Sequence, residues 1–199
     1  MPLSGLLEAV LVEGDGRTLA EAARRHAVNI HTITAVNPLV VAAIAAERER
    51  GGAGRPVLAV TATSRQAEDL ADGLRCLLRD SQVEVFPAWE TLPHERLSPR
   101  ADTVGRRLAV LRRLVHPAIG DPLQVIVAPA SSLLQPMAPG LADLEPIELA
   151  TGQTVELDSV VRRLVDAAYT RVELVEQRGE FAVRGGLLDI FPPTEEHPI

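Results

Sequence analysis

An arginine inside an apolar, strand-like run is the residue in this sequence best suited to specific recognition chemistry. Residues 178–193 read RGEFAVRGGLLDIFPP, and Arg184 interrupts the apolar run just before two glycines. A planar guanidinium on a rigid strand can pair bidentately with a carboxylate, with a geometric specificity that a lysine lacks. The residues leave two interpretations open. Either Arg184 contacts a partner protein, or it pairs within the chain with Glu180 or Asp189.

Residues 28–46 are predicted to have the strand–turn–helix order of a nucleotide-binding site. They lack the residue types that bind phosphate in such a site. VNIHTITAV at 28–36 is rich in β-branched residues and predicts a strand, and Pro38 predicts the first turn of a helix. A phosphate-binding P-loop needs glycines, a lysine and a Ser or Thr at this point. The turn at 34–39 has no glycine, the chain has no lysine, and Pro38 lacks an N–H donor. We therefore expect no ATP site and no cofactor.

The loop that follows VEVFP surrounds the single tryptophan, Trp89, with polar side chains. A metal site there would combine His94 with Glu90 or Glu95, but no second histidine lies within metal-ligand spacing. No nucleophile has a base arranged around it, so catalysis is not predicted. We expect Trp89 and Leu92 to pin the loop onto the sheet. We expect the arginines of the next helix to form mainly a solvated face. The alternative is that they contact nucleic acid or a protein. These arginines are Arg106, Arg107, Arg112 and Arg113.

The elements that must position these side chains alternate between strand and helix. Apolar runs typical of strands buried on both faces occur at 56–62, 83–87 and 124–130, after the strand predicted at 28–36. Thr63 and Gln66 have the spacing of a capping box at the start of a helix. This alternation predicts an α/β fold with a parallel sheet flanked by helices.

The pattern changes after residue 142. A helix, SVVRRLVDAAY, precedes two strand-like runs, RVELVEQ and EFAVRGGLLDIF. Their tight link predicts an antiparallel hairpin with its turn at Arg178-Gly179, and Gly185-Gly186 then marks a bulge. We therefore predict two domains, at 1–142 and 143–199. The second is a small α+β unit, expected to be incomplete at residue 199.

Composition is that of a soluble globular chain of 199 residues with a net charge of −7, which does not favour general binding to nucleic acid. The single cysteine, Cys76, excludes an internal disulfide, and its helical spacing predicts a buried position. No apolar stretch approaches the length of a membrane span, and no secretory signal is present. We expect a cytoplasmic protein.

Three long stretches together resemble a known family: FPAWETLPHERLSPRADTVGRRLAVLRRL, VIVAPASSLLQ and RGEFAVRGGLLDIFPP. They are similar to the N-terminal region of the bacterial transcription-repair coupling factors, the Mfd family, and through it to the damage-recognition protein UvrB. The resemblance extends over roughly residues 28–199.

Against UvrB, the chain lacks the P-loop, and the short loop AWETLPHERLSP replaces a long tyrosine-rich hairpin used on DNA. The resemblance therefore implies a degenerate RecA-like, UvrB-like domain at 1–142 that neither hydrolyses ATP nor senses damage. Members of the family are ATP-driven DNA translocases, so the motor and the RNA polymerase and DNA contacts are expected beyond residue 199. The alternative is a UvrB-type domain that binds nucleotide and DNA.

The resemblance also implies a partner for the second domain, the repair protein UvrA. Tyr169-Thr170-Arg171 matches a Tyr-x-Arg segment that contacts UvrA in UvrB-like proteins, and 179–185 matches a Gly-x-Phe-Arg-x-Arg-Gly segment with Ala182 in place of the first arginine. Arg171 and Arg184 are therefore the expected contacts, with Phe191 at the core or the interface edge. The resemblance implies that another part of the same protein masks this surface before activation.

Overall fold

A computed structural model describes residues 3–12, 18–19, 21–23, 27–46, 52, 54–91, 99–117, 121–137, 139–143, 145–193 and 195–199. The helices are α1 (Ser4–Val12), α2 (Asn37–Ala45), α3 (Ser64–Arg75), α4 (Ala101–Val115), α5 (Ala130–Leu134) and α6 (Leu157–Asp166). The strands are β1 (Val57–Thr61), β2 (Val83–Val85), β3 (Val125–Pro129), β4 (Thr170–Arg171), β5 (Glu180–Arg184) and β6 (Leu187–Ile190). No helix in these ranges is long and apolar enough to cross a membrane.

The first sheet is parallel and has the strand order β1-β3-β2. Val125 of the central strand is in register with Val57 on one side and Val83 on the other. All five residues of β3 are buried, as its continuous apolar sequence requires. The predicted α/β fold is confirmed.

Helices cover both faces of this sheet. One face packs against α1, α2 and α3, and the other packs against α4 through Val110 and Leu111. The predicted capping box opens α3: Thr63 Oγ1 accepts the backbone N–H of Gln66 at 3.2 Å, and Gln66 Oε1 accepts that of Thr63 at 3.2 Å. Local sequence chemistry therefore determines where α3 begins.

The expectations for residues 28–36 and for Cys76 are wrong. Residues 28–33 are not a strand, and Thr34–Val36 form a single 3₁₀ turn. β-branched residues favour a strand only where a neighbouring strand pairs with them, and no described strand does so here. Cys76 is exposed, because it follows α3 beyond the buried stripe of Ala67, Ala71 and Leu74.

The second sheet has the order β4-β5-β6 and packs its inner face against α6. β5 and β6 are antiparallel and joined by Gly185-Gly186, where Gly185 has φ +61°. The hairpin turn predicted at Arg178-Gly179 is wrong, and so is the bulge predicted at the glycine pair. The tight turn requires a positive φ that glycine adopts without steric cost. β4 instead pairs with β5 in parallel after the loop 172–179.

The second sheet contacts the first half of the chain through α4. A Cβ built on Gly105, in the middle of α4, would lie 2.5 Å from the Cβ of Pro193. A Cβ built on Gly179 would lie 3.2 Å from the Cβ of Ala101. Glycine inside a helix costs about 1 kcal/mol relative to alanine. The close approach of Pro193 explains why a glycine is accommodated at this helical position.

Candidate protein-binding site

The β5–β6 hairpin presents two chemically different faces because side chains alternate along each strand. Its inner face is apolar and packs on α6, with Phe181 opposite Ile190 and Val183 opposite Leu188. Its other face, called here the outer face, consists of Ala182, Arg184, Leu187 and Asp189. Arg184 therefore points away from the core of the second sheet.

Arg184 forms an ion pair with Asp189 across the hairpin. Arg184 Nη2 lies 2.5 Å from Asp189 Oδ2, and the two side chains are 60% and 39% exposed. Asp189 is opposite Ala182 in the register, so the pair is a diagonal cross-strand contact. Exposed pairs of this kind contribute about 0–1 kcal/mol. The internal pairing allowed by the sequence is thus present, with Asp189 as the partner.

Glu180, the other internal partner considered for Arg184, forms hydrogen bonds with the backbone instead. Its Oε2 accepts the backbone N–H groups of Glu176 at 2.9 Å and Gln177 at 2.8 Å. These two hydrogen bonds lower the pKa of the Glu180 carboxyl below its ordinary value. Glu180 therefore holds the loop between β4 and β5 and leaves Arg184 to Asp189.

Arg171 lies on the edge strand β4 and is exposed. Among the described residues, its guanidinium has no hydrogen-bond or ion-pair partner. Arg171 is in register with Phe181, whereas Arg184 is on the opposite face of the pleat from Phe181. The two arginines therefore lie on different faces of the pleat and do not form one row.

Phe191 follows β6 and is half-buried. The guanidinium carbon of Arg178 lies 5.1 Å from the centroid of its ring, and Arg178 Nε donates to the Glu195 carbonyl at 2.9 Å. A cation over an aromatic face at this distance is attracted by the ring quadrupole. Arg178 is a residue that the sequence analysis assigned only to a turn, and its spacing from Phe191 gave no signal of this contact.

Ala182 stands where the resemblance would place a further arginine. It is 1% exposed. A long charged side chain at this position would have to displace its neighbours to reach water. The burial of Ala182 therefore explains why a small residue occupies the outer face between Glu180 and Arg184.

Two clefts border the hairpin. One, of about 340 Å³, is apolar and lies between α6 and β6, with Leu157, Val160 and Leu188 among its lining residues. The other, of about 220 Å³, lies beside the outer face and is lined by Leu174, Val175, Arg184, Asp189, Pro198 and Ile199. The second cleft thus combines the ion pair with exposed apolar side chains.

The tryptophan loop is held by a buried cation. Arg107 is 1% exposed, and its guanidinium carbon lies 4.1 Å from the Phe86 ring centroid and 4.2 Å from the Trp89 ring centroid. Its Nη1 donates to the Pro87 carbonyl at 2.7 Å. Burial lowers the pKa of Arg107 below its ordinary value. The expectation that the α4 arginines form a solvated face is therefore wrong for Arg107.

Other arginines of α4 and the tryptophan backbone also have partners within the chain. Arg106 pairs with Glu68 at 3.2 Å and Arg113 with Glu84 at 2.8 Å. The Trp89 backbone N–H donates to Gln135 Oε1 at 2.7 Å. Leu92, His94 and Glu95 lie outside the described residues. Within the described ranges, no group of three His, Cys, Asp or Glu side chains could hold a metal.

Helix α2 follows the turn at which a P-loop would lie, but residues 28–33 before this turn are not a strand. Pro38 occupies its first turn, and no side chain caps this end of the helix. A Cβ built on Gly73 of α3 would lie 2.6 Å from Pro38 Cγ. The proline ring therefore packs closely on the neighbouring helix and leaves no space for a phosphate between them.

Comparisons of the sequence with known proteins identify a family model and several relatives. A profile of the UvrB interaction domain matches residues 147–199. The chain is 48% identical over 201 residues to the transcription-repair-coupling factor of Mycobacterium tuberculosis (strain CDC 1551 / Oshkosh), covering 100% of the chain and 16% of that protein. It is 32% identical over 154 residues to the Escherichia coli (strain K12) transcription-repair-coupling factor, covering 77% of the chain and 13% of that protein.

The UvrABC system protein B of Streptomyces avermitilis is 32% identical over 151 residues, covering 71% of the chain and 21% of that protein. The chain is therefore an α/β protein whose residues 147–199 match the UvrB interaction domain. More particularly, it is a relative of the N-terminal region of the transcription-repair-coupling factors. The chain spans about 16% of the length of the Mycobacterium relative.

Proposed function

We propose that this chain is a non-catalytic adaptor that docks onto UvrA through the second sheet. The observation that carries the proposal is the outward position of Arg184 within residues 147–199, the range of the UvrB interaction domain. Leu187 beside it is 69% exposed and Leu174 is 61% exposed. An arginine with exposed apolar neighbours is a composition enriched at protein-binding hot spots. Arg171 and Phe191 supply further contacts in this proposal.

In the complete protein, this docking would bring UvrA to a stalled RNA polymerase. The ATP-driven translocase and the polymerase and DNA contacts would belong to other parts of that protein, which could also mask the docking surface. We further propose the division into domains at 1–142 and 143–199. The two sheets and their separate cores support that division.

The docking proposal is tested by the binding of purified UvrA to the wild-type chain and its variants in isothermal titration calorimetry. We expect Arg171→Ala and Arg184→Glu each to weaken binding, with Arg184→Glu the stronger because it reverses a charge. Arg162→Ala is the matched control, since Arg162 is exposed on α6 without an ion pair among the described residues. Undiminished binding by both variants would reject the site. No binding by a folded wild-type chain would reject the function.

The non-catalytic character is tested with ATP itself. The chain has no lysine, and Pro38 packs against α3 at the turn where phosphates would bind. We therefore expect no heat of binding when ATP and Mg²⁺ are titrated into the chain. A micromolar affinity would instead support a UvrB-type nucleotide-binding domain.

A further inference from the structure

The nitrogen that Arg184 uses inside the chain is the one that a partner would need. A guanidinium pairs bidentately with a carboxylate either through Nε and Nη2 or through its two terminal nitrogens. Both arrangements include Nη2, and Asp189 Oδ2 already lies 2.5 Å from Nη2. Nη2 carries one N–H group on each of these two edges, so a partner carboxylate on either edge would share this nitrogen with Asp189 and lie beside the Asp189 carboxylate.

The surroundings of the ion pair favour the replacement of Asp189 by a partner carboxylate. Arg184 and Asp189 lie at the edge of the 220 Å³ cleft, whose other lining residues are apolar. The Arg184 side chain is 60% exposed, so a partner group can reach it. Two carboxylates on one guanidinium nitrogen would repel each other at short range. Because an exposed pair contributes little, its loss is easily compensated by a desolvated bidentate pair.

We propose that Asp189 is an internal competitor for Arg184, displaced when an acidic side chain of the partner binds. This inference rests on the proposed docking to UvrA and adds the chemistry of the contact: a partner aspartate or glutamate, flanked by an apolar group that enters the cleft beside Leu174. The competition lowers the affinity of the free chain. It also restricts tight binding to partners that present a carboxylate in bidentate geometry.

The experiment compares the dissociation constants of UvrA for wild type, Asp189→Asn and Arg184→Ala, together with the double variant. Removal of the competing charge should tighten binding by about two- to fivefold, the range set by an exposed ion pair. Arg184→Ala should weaken binding, and adding Asp189→Asn to it should give no gain, because the two residues act through one contact. Asp166→Asn is the matched control, an identical change at an exposed position of α6, and should leave the affinity unchanged.

Asp189→Ser serves as a second variant should Asp189→Asn unfold, and far-UV circular dichroism checks each fold. Unchanged or weaker binding by the Asp189 variants, while Arg184→Ala still loses affinity, would overturn the competitor role and leave the docking proposal intact. A tightening that persists in the Arg184→Ala background would overturn it as well. Equal affinities of wild type and Arg184→Ala would reject the contact with Arg184 itself.

Discussion

Replacing Arg107 tests how a buried cation holds the loop at the carboxyl end of the parallel sheet. The two ring contacts contribute about 0.5–2 kcal/mol each, and the hydrogen bond to the Pro87 carbonyl about 1.5–3 kcal/mol. Desolvation opposes them, because Nε and Nη2 are buried without an acceptor among the described residues. Removing a guanidinium from water costs several kcal/mol. The gains and the cost are therefore of similar size.

Two substitutions separate these contributions. Arg107→Met keeps most of the side-chain volume and removes the desolvation cost, so we expect it to change the free energy of unfolding by less than about 1.5 kcal/mol. Arg107→Ala removes the same polar contacts and also leaves a cavity between Phe86 and Trp89. We expect it to destabilise the chain by about 3–5 kcal/mol.

Urea unfolding monitored by tryptophan fluorescence measures both values, since Trp89 is the single tryptophan of the sequence. Far-UV circular dichroism measures the same transition independently. The control is Arg65→Ala, whose side chain is 92% exposed, and it should stay within about 0.5 kcal/mol of wild type. Equal effects of the alanine and methionine variants, or an alanine variant within about 1 kcal/mol of wild type, would refute the reasoning.

Three further predictions, which involve five substitutions, can be checked by the same urea unfolding. Gly105→Ala should destabilise by about 1–3 kcal/mol because its Cβ overlaps the proline that follows the second sheet, whereas Gly5→Ala has open space and should stabilise by about 0.5 kcal/mol. Gly185→Ala should lower the free energy of unfolding by about 1–2 kcal/mol, because Gly185 has a φ of +61° that alanine adopts only with strain. Gly186→Ala should lower it by less than about 0.5 kcal/mol. Equal effects of the two substitutions would contradict the turn assigned to Gly185-Gly186. The pKa of Glu180 is lowered in the folded state, so its stabilisation is complete above about pH 4.3 and is lost as the pH falls through the folded pKa. Glu180→Gln should therefore flatten the loss of stability below about pH 4.3, and an unchanged pH profile would exclude this role.

Much of the first sheet could be predicted from the sequence because its signals are local. The three apolar runs became β1, β2 and β3, and the Thr63 capping box opens α3 where predicted. The stretch at 28–36 has equally good strand propensity but no strand pairs with it among the described residues. Propensity describes one segment, whereas a strand also needs a neighbour.

The sequence draws attention to Arg184 of the candidate site, but it does not predict how the side chains around Arg184 are arranged. The unusual Arg184 next to two glycines could be recognised in the sequence. The sequence pattern, however, predicts the hairpin turn at Arg178-Gly179, whereas the turn lies at Gly185-Gly186, directly after Arg184. That error also hid the register that places Asp189 diagonally across from Arg184. Arg107 was indistinguishable from the three other arginines of α4 until its two aromatic neighbours were known.

The sequence by itself determined the chemistry available to this chain: no lysine, no glycine-rich phosphate turn, and an arginine in a strand-like segment that can recognise a carboxylate. The tertiary structure decided which of these groups are satisfied internally. It buried Arg107 between two rings, paired Arg184 with Asp189, and left Arg171 exposed on an edge strand. Charge and hydrogen-bonding capacity belong to each residue, whereas burial and pairing depend on residues that are distant in the sequence and adjacent only in the fold.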